Sequence, residues 1–299
     1  MTRKKSRNRV IDALVATLVC IVVFSVTAIA SNIDFSNIFS KNGFDSESDF
    51  VRIIDVGQGD SILIYSNGYS ALIDTGLVGY SANICAALET CDIDKLDVLL
   101  LTHTHSDHIG GAADIIDAYG VRNLILPVIT DKSEGKNFAN VCSDKVKKDG
   151  GKVINARTGM NFDVGEFEIT VLSATAGFDN ENDNSLVTMA RINDFKFLFA
   201  ADIGAETEKA LINSGLNLKA DVLKVAHHGS SSSSKEDFIK AVRPRYAAIS
   251  VGRDNEYSHP HYEVLSLLEY FNVGVYRTDI HGDITFYAKN GKLNCTTEK

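Results

Sequence analysis

The feature that most restricts this chain is Thr102-His103-Thr104-His105-Ser106-Asp107-His108-Ile109-Gly110-Gly111, which follows directly on the run 96–101, apolar but for Asp97. That run has the length and character of a buried strand, and four metal-binding side chains then fall within six residues. In an extended loop His103 and His105 point the same way, because side chains alternate with a period of two, and they can share one ion. Asp107 and His108 open the next helix, turned toward a second ion, and Gly110-Gly111 lets that helix start lie close against the loop. A chain carrying such a loop needs a fold in which other strand ends converge on it.

The surrounding pattern meets that need. Short apolar runs at 50–56, 61–65 and 70–73 are expected strands, and Asn67-Gly68 is the hairpin turn between the last two. Residues 80–90 have helical apolar spacing. Runs 185–191 and 195–200 make a second hairpin around Asn193-Asp194. Beyond it, helices at 206–214, 235–242 and 261–271 alternate with strands at 221–226, 246–251 and 274–276. Meandering strands followed by alternating units imply an α+β fold of two sheets covered by helices, a four-layer αββα sandwich. With 44% hydrophobic and 23% charged residues the composition is globular, and residues 50–299 read as one domain with no internal linker or repeat.

The run His103-x-His105-x-Asp107-His108 resembles the signature of the metallo-β-lactamase superfamily, whose αββα sandwich has the same order of elements. The resemblance assigns roles elsewhere. Asp74, in Asp74-Thr75-Gly76 at the end of the third strand, is similar to the first-motif aspartate that orders the metal loop. Asp202, in Phe199-Ala200-Ala201-Asp202-Ile203, is similar to the carboxylate that bridges both metals. A narrower resemblance spans nearly all of residues 50–288. Asp55-Val56-Gly57-Gln58-Gly59-Asp60-Ser61, Asn184-Ser185-Leu186-Val187, Leu223-Lys224-Val225-Ala226-His227-His228-Gly229-Ser230, Ser250-Val251-Gly252, Ser258-His259-Pro260 and Val275-Tyr276-Arg277-Thr278-Asp279 occur in the order found in the extracellular metallo-β-lactamase domain of the ComEC family of DNA-uptake competence proteins. That family's membrane channel has no counterpart here, so the resemblance implies the hydrolase domain and not uptake.

The resemblance also exposes a departure. The eight histidines stand at 103, 105, 108, 227, 228, 259, 261 and 281, and none occupies the interval where the superfamily places its third-motif ligand. Asn182, Asp183 or Asn184, or water, must substitute, and a harder ligand set shifts preference from zinc toward manganese. One of His227 and His228 completes the second metal's shell with Asp107, His108 and Asp202; likeness to related phosphoesterases favours His228, leaving His227 for a neighbouring contact. The expected metal candidates are thus His103, His105, Asp107, His108, Asp202, His228 and His227, holding two divalent ions, zinc or manganese. Gly229-Ser230 can give backbone and hydroxyl donors to a phosphate oxygen, whereas 232–234 reads as a polar loop. His259 can protonate a leaving group or hold an oxyanion, or else cap the helix 261–271. Gln58 and Asp60 shape the site from a glycine-flanked turn, Asn184 lies near the substrate, and His281 reads as structural.

The amino terminus sets the compartment. Arg3, Lys4, Lys5, Arg7 and Arg9 lie in a basic segment, 1–12, before the uncharged stretch 13–30. A helix over that stretch would be about 27 Å long, near the hydrocarbon thickness. The basic flank is expected to stay cytoplasmic, placing the rest outside. We read 13–30 as an uncleaved anchor; a cleaved signal, with Ala28-Ile29-Ala30 as the processing site, would make the protein secreted instead. Residues 31–49, rich in Ser and Asn, form a linker to the hydrolase domain 50–299. Cys85, Cys91, Cys142 and Cys295 match no zinc or redox spacing and are expected to be buried free thiols. Removing residues 1–30 takes away five basic and one acidic residue and moves the formal net charge from −9 to −13. Such an acidic domain is unsuited to patch-led polyanion binding.

Three functions are compatible with these residues. The first is an extracellular phosphodiesterase or nuclease acting on DNA or on phosphodiester-bearing envelope polymers, with Asp107 orienting the nucleophile and His259 serving the leaving group. The second is a hydrolase of amide, thioester or lactone substrates. The third is a catalytically silent binding module. The intact metal motifs oppose the third, and the His227-His228-Gly229-Ser230 segment favours the first over the second. The membrane is a partner through the anchor; no protein partner is legible.

Overall fold

Turn chemistry sets the order of the first sheet. Asn67 and Gly68 both take positive φ, 51° and 80°, the geometry that matches the twist of a two-residue hairpin, and they join β2 (Ile62–Ser66) to β3 (Tyr69–Ile73) in register. The computed structural model describes residues 49–299. The basic segment 1–12, the anchor or signal 13–30 and the linker up to residue 48 lie outside the described residues. Among the described residues no helix is long and apolar enough to cross a membrane.

The first sheet runs β15-β14-β1-β2-β3-β4-β5-β6. Here β1 is Phe50–Ile53, β4 Leu96–Leu100, β5 Val121–Leu126, β6 Lys152–Asn155, β14 Ile284–Lys289 and β15 Lys292–Thr297. The second runs β13-β12-β11-β10-β9-β8-β7, with β7 Asn161–Val164, β8 Phe167–Ser173, β9 Val187–Ile192, β10 Phe195–Phe199, β11 Val222–Lys224, β12 Tyr246–Ile249 and β13 Gly274–Arg277. The helices are α1 (Ser81–Glu89), α2 (Ser106–Ile109), α3 (Ala112–Tyr119), α4 (Lys136–Lys148), α5 (Ala205–Asn213), α6 (Glu236–Val242), α7 (Tyr262–Tyr270) and α8 (Thr278–His281).

The two inner sheet faces share one core, in which Ile64, Ile73 and Leu100 of the first sheet meet Phe167, Phe197 and Phe199 of the second. Truncating a ring such as Phe197, which contacts both Phe167 and Phe286 edge-on, would cost about 3–5 kcal/mol. A second core joins the outer face of the second sheet to Leu211, Phe238 and Leu268 of α5, α6 and α7. On the other side α4 packs on β5 and β6. Helices therefore cover both sheets, as the pattern of elements implied.

Most expected elements are present with shorter ends. The first strand stops at Ile53 because Asp55 accepts the Gly57 N–H and Gly57 turns at φ 66°. The strand 221–226 ends at Lys224, since 226–229 winds into a tight turn. Six elements between 112 and 173 and the closing hairpin β14–β15 had no assignment from sequence. Cys91 and Cys142 are buried free thiols as expected, whereas Cys85 and Cys295 are half-buried.

Candidate metal centre

Parallel pairing delivers the site. β3 lies parallel to β4, and β10, β11 and β12 are parallel neighbours, so their carboxyl ends emerge together, where open sheets place ligands. Asp74 follows β3, the 102–108 loop follows β4, Asp202 follows β10, His227-His228 follows β11, and the loop bearing His259 follows β12. Close approach of these loops requires glycine. A Cβ on Gly59 would lie 2.4 Å from the Asp107 carbonyl, and one on Gly111 would lie 2.6 Å from that of Thr75.

Two imidazoles are fixed from behind. Asp74, wholly buried, accepts the Thr102 N–H at 2.8 Å, the Thr102 hydroxyl at 2.6 Å and His108 Nδ1–H at 2.7 Å. His228 Nδ1 donates to the Ser250 carbonyl at 2.9 Å. With each Nδ1 committed, both Nε2 lone pairs point inward. His108 Nε2 lies 3.3 Å from Asp202 Oδ1 and 3.8 Å from Asp107 Oδ2. His228 Nε2 lies 3.3 Å from Asp107 Oδ2 and 3.5 Å from Asp202 Oδ2. Alongside, His103 Nε2 is 3.2 Å from His105 Nδ1.

These spacings fit a metal. Two ligands about 2.1 Å from one tetrahedral ion lie about 3.4 Å apart. Asp107, His108, Asp202 and His228 bring their ligand atoms within 4.8 Å of one another. Within this nest His108 Nε2 and Asp202 Oδ1 are buried with no hydrogen-bond partner. Such orphaned groups cost about 1–3 kcal/mol each unless something binds them. The structure thus brings together His103, His105, Asp107, His108, Asp202 and His228.

His227 stands at the edge, its Nε2 3.8 Å from Asp202 Oδ2 and 3.4 Å from the Asn182 amide nitrogen. Both residues of the pair adopt left-handed backbone, φ 49° and 52°, at a cost of roughly 1–2 kcal/mol each. That conformation turns the chain so sharply that the two rings diverge, His228 inward and His227 outward to the Ser232 hydroxyl at 3.3 Å.

The electrostatics are those of a site built around positive charge. Burial alone would raise the pKa of Asp202, but His228 and His108 hold it well below the carboxylate range. Asp107 is lowered against its burial by His108 and His228. Burial disfavours a charged His108, yet Asp202, Asp74 and Asp107 raise it well above the usual histidine value. Burial and the neighbouring His108 keep His103 well below it.

The remaining candidates fall into two groups. Asp60 lies beneath the nest. Its N–H donates to the Asp107 carbonyl at 3.1 Å, and its carboxylate meets the buried Lys224 ammonium at 2.5 Å and approaches His228 Nδ1 at 3.5 Å. Gln58 braces the loop after β12 by accepting the Gly252 N–H at 3.1 Å. His259 lies over the nest, its ring 5.7 Å from that of His227 and 6.4 Å from that of His228, with a buried, unpartnered Nδ1. Elsewhere, Ser230 engages the Ser232 hydroxyl at 3.0 Å, and Asn184 is committed to Phe178 and Asn180 within its own turn. His281 Nδ1 accepts the Arg277 N–H, away from the nest. Of the three possible third-motif substitutes, Asp183 is tied to Gly204 and Thr207; only Asn182 keeps a buried oxygen without a partner.

Sequence reasoning missed Thr102, Ser250, Lys224 and Glu181, whose Oε2 lies 3.9 Å from His105 Nε2. Thr102, Lys224 and Ser250 lay within motifs singled out in the sequence but drew no role there, and Lys224 stands out besides as the lone charge of its strand. A cavity of about 400 Å³ opens beside His103, walled by Thr104, Pro127, Val128, Phe178 and Asn184.

Residues 54–172 match the sequence profile of the Metallo-beta-lactamase superfamily. The chain thus carries a Metallo-beta-lactamase superfamily domain, of the metal-dependent hydrolase class. It is related to competence proteins. It is 33% identical over 265 residues to ComE operon protein 3 of Bacillus subtilis, a match covering 80% of this chain and 33% of that protein. To Recombination protein 2 of Haemophilus influenzae it is 32% identical over 239 residues, covering 78% and 28%. The chain therefore spans about a third of the length of these curated relatives. Its fold is similar to that of the metallo-beta-lactamase fold protein YhfI of Bacillus subtilis, with a TM-score of 0.54 at 16% identity, covering 83% of this chain and 99% of the other.

Proposed function

We propose that this domain is a metal-dependent phosphodiesterase or nuclease working on the outer side of the membrane, to which residues 13–30 anchor it. The observation that carries the reading is the pair of adjoining ligand sets, His103 with His105 and Asp107 with His108, Asp202 and His228. Asp202 faces both histidines of the second set through its two oxygens. Paired divalent ions, zinc or manganese, supply Lewis acidity and a lowered water pKa, and a two-ion clamp best suits in-line displacement at phosphorus. Similarity to competence proteins supports a DNA substrate over a small amide or lactone.

The chain's own residues then divide the work. Asp74 and Ser250 orient the two inward imidazoles. Asp107, the more open carboxylate, orients the attacking water. His259 faces the leaving group. Burial and the nearby His228, His227 and His261 push its pKa down to about 4.

The test is metal-dependent hydrolysis measured on bis-p-nitrophenyl phosphate, single- and double-stranded DNA and nitrocefin. Cleavage of the phosphodiesters, lost with chelator and restored by manganese or zinc, is expected. Turnover of nitrocefin without any phosphodiester cleavage would reject the proposal in favour of an amide, thioester or lactone hydrolase.

A further inference from the structure

We infer that Tyr257 is a platform on which a nucleobase of the substrate stacks, making the preferred phosphodiester a base-bearing one. The inference rests on the phosphodiesterase reading and deepens it. Tyr257 is 56% exposed, yet it is no loose surface ring. Its inner face is offset-stacked on His259, with centroids 5.6 Å apart and planes 26° apart, and His259 in turn stacks toward His228 at 6.4 Å and 30°. These rings form a staircase from solvent to the metal nest, with the outermost face open.

The loop that carries the platform is pinned. Asn255 donates to the Gly252 and His259 carbonyls at 3.0 and 2.7 Å and accepts the His259 N–H at 3.0 Å. His261 Nδ1 accepts the Ser231 N–H at 2.9 Å, so its Nε2 carries the hydrogen that reaches the Tyr257 carbonyl at 3.2 Å. An aromatic ring held in place beforehand loses little freedom when a flat ligand lands on it. The charge of the domain favours this mode of recognition. An acidic surface cannot lead with phosphate contacts, whereas stacking on a neutral ring needs no cation and accepts any base. An envelope polymer of glycerol or ribitol phosphates has no flat group to place there.

Two measurements on the full-length chain, loaded with manganese, test this. The first compares kcat/KM for thymidine 5′-(p-nitrophenyl phosphate) with that for methyl p-nitrophenyl phosphate, which has the same leaving group and no base. The ratio is expected to fall roughly tenfold or more in Tyr257→Leu, mostly through KM, and to hold in Tyr257→Phe. It should also hold in Tyr270→Leu, which removes a still more exposed ring at the far end of α7. The second follows quenching of a 2-aminopurine base in a phosphorothioate oligonucleotide, expected with wild type and Tyr257→Phe and lost with Tyr257→Leu. An unchanged ratio together with unchanged quenching would overturn the inference, as would equal losses for both esters. If wild type hydrolyses neither ester but quenching still depends on Tyr257, the platform stands and the phosphodiesterase reading fails.

Discussion

Replacing Asp74 by asparagine tests whether the candidate metal nest is held by its rear hydrogen bonds. The carboxylate accepts from Thr102 N–H through Oδ1, and from the Thr102 hydroxyl and His108 Nδ1–H through Oδ2. An amide of the same shape has one acceptor end. If its oxygen faces Thr102 N–H, its NH₂ faces His108, whose Nδ1 must become the acceptor. The hydrogen then moves to Nε2, and the inward lone pair is lost. If the amide is flipped, His108 keeps its tautomer but a buried N–H of Thr102 meets a donor, costing about 1–3 kcal/mol. The first pose predicts a 10–100-fold loss of metal affinity, the usual effect of disturbing the partner of a metal-bound histidine. The second predicts a lower melting temperature. Chelator competition for manganese and zinc, run beside thermal melts of the metal-free protein, reads both. Affinity within twofold of wild type together with an unchanged melt would refute the reasoning, because no orientation of an amide preserves all three bonds.

Other outcomes follow from the same geometry. Asp202→Ala should lose at least one metal equivalent by elemental analysis; two full equivalents would remove Asp202 from the ligand set. His108→Ala should abolish turnover, whereas His259→Ala should keep its metal and slow DNA cleavage by about 10²–10⁴-fold while sparing p-nitrophenyl esters, and equal loss on both would reject the leaving-group role. Glu208, buried on α5, accepts the Ser234 and Lys235 N–H groups at the start of α6, yet burial pushes its pKa from 4.5 up to about 7. The folded state therefore holds a proton that the unfolded state has released, and stability falls as pH rises through that window, by about 3 kcal/mol. Melts from pH 4.5 to 8 should show this slope in wild type and not in Glu208→Gln; parallel profiles would refute it. Protease added to intact cells should digest the domain beyond residue 31, and protection until lysis would overturn the proposed orientation.

The sequence by itself determined which chemistry to expect and roughly where the strands lie. Histidines at 103, 105 and 108 around Asp107 can be read without coordinates because their spacing is local. A period of two and a following helix start already fix which side chains face together. Asn67-Gly68 and Asn193-Asp194 announced their hairpins for the same reason, since turn geometry is set by adjacent residues. Residues 112–173 were not legible in this way. α3, β5, β6 and β7 are short, and their faces become regular only when the neighbouring strands supply partners; α4, with 13 residues, and β8, with seven, went unassigned in spite of their length.

The tertiary structure alone decided the inner wiring of the site. That His108 and His228 turn Nε2 inward depends on Asp74 and Ser250, which are 34 and 22 residues away. The divergence of His227 from His228 depends on two successive left-handed residues, a conformation rare enough outside glycine that local sequence does not announce it. Asn182 could be separated from Asp183 and Asn184 only after Gly204, Thr207 and Phe178 had taken up the other two side chains. Tyr257 was one of ten tyrosines until the β12 loop laid its ring on His259. In each case the deciding partner is remote in the chain, and hydrogen bonds and ring contacts across such separations exist only once parallel strands have brought their ends together.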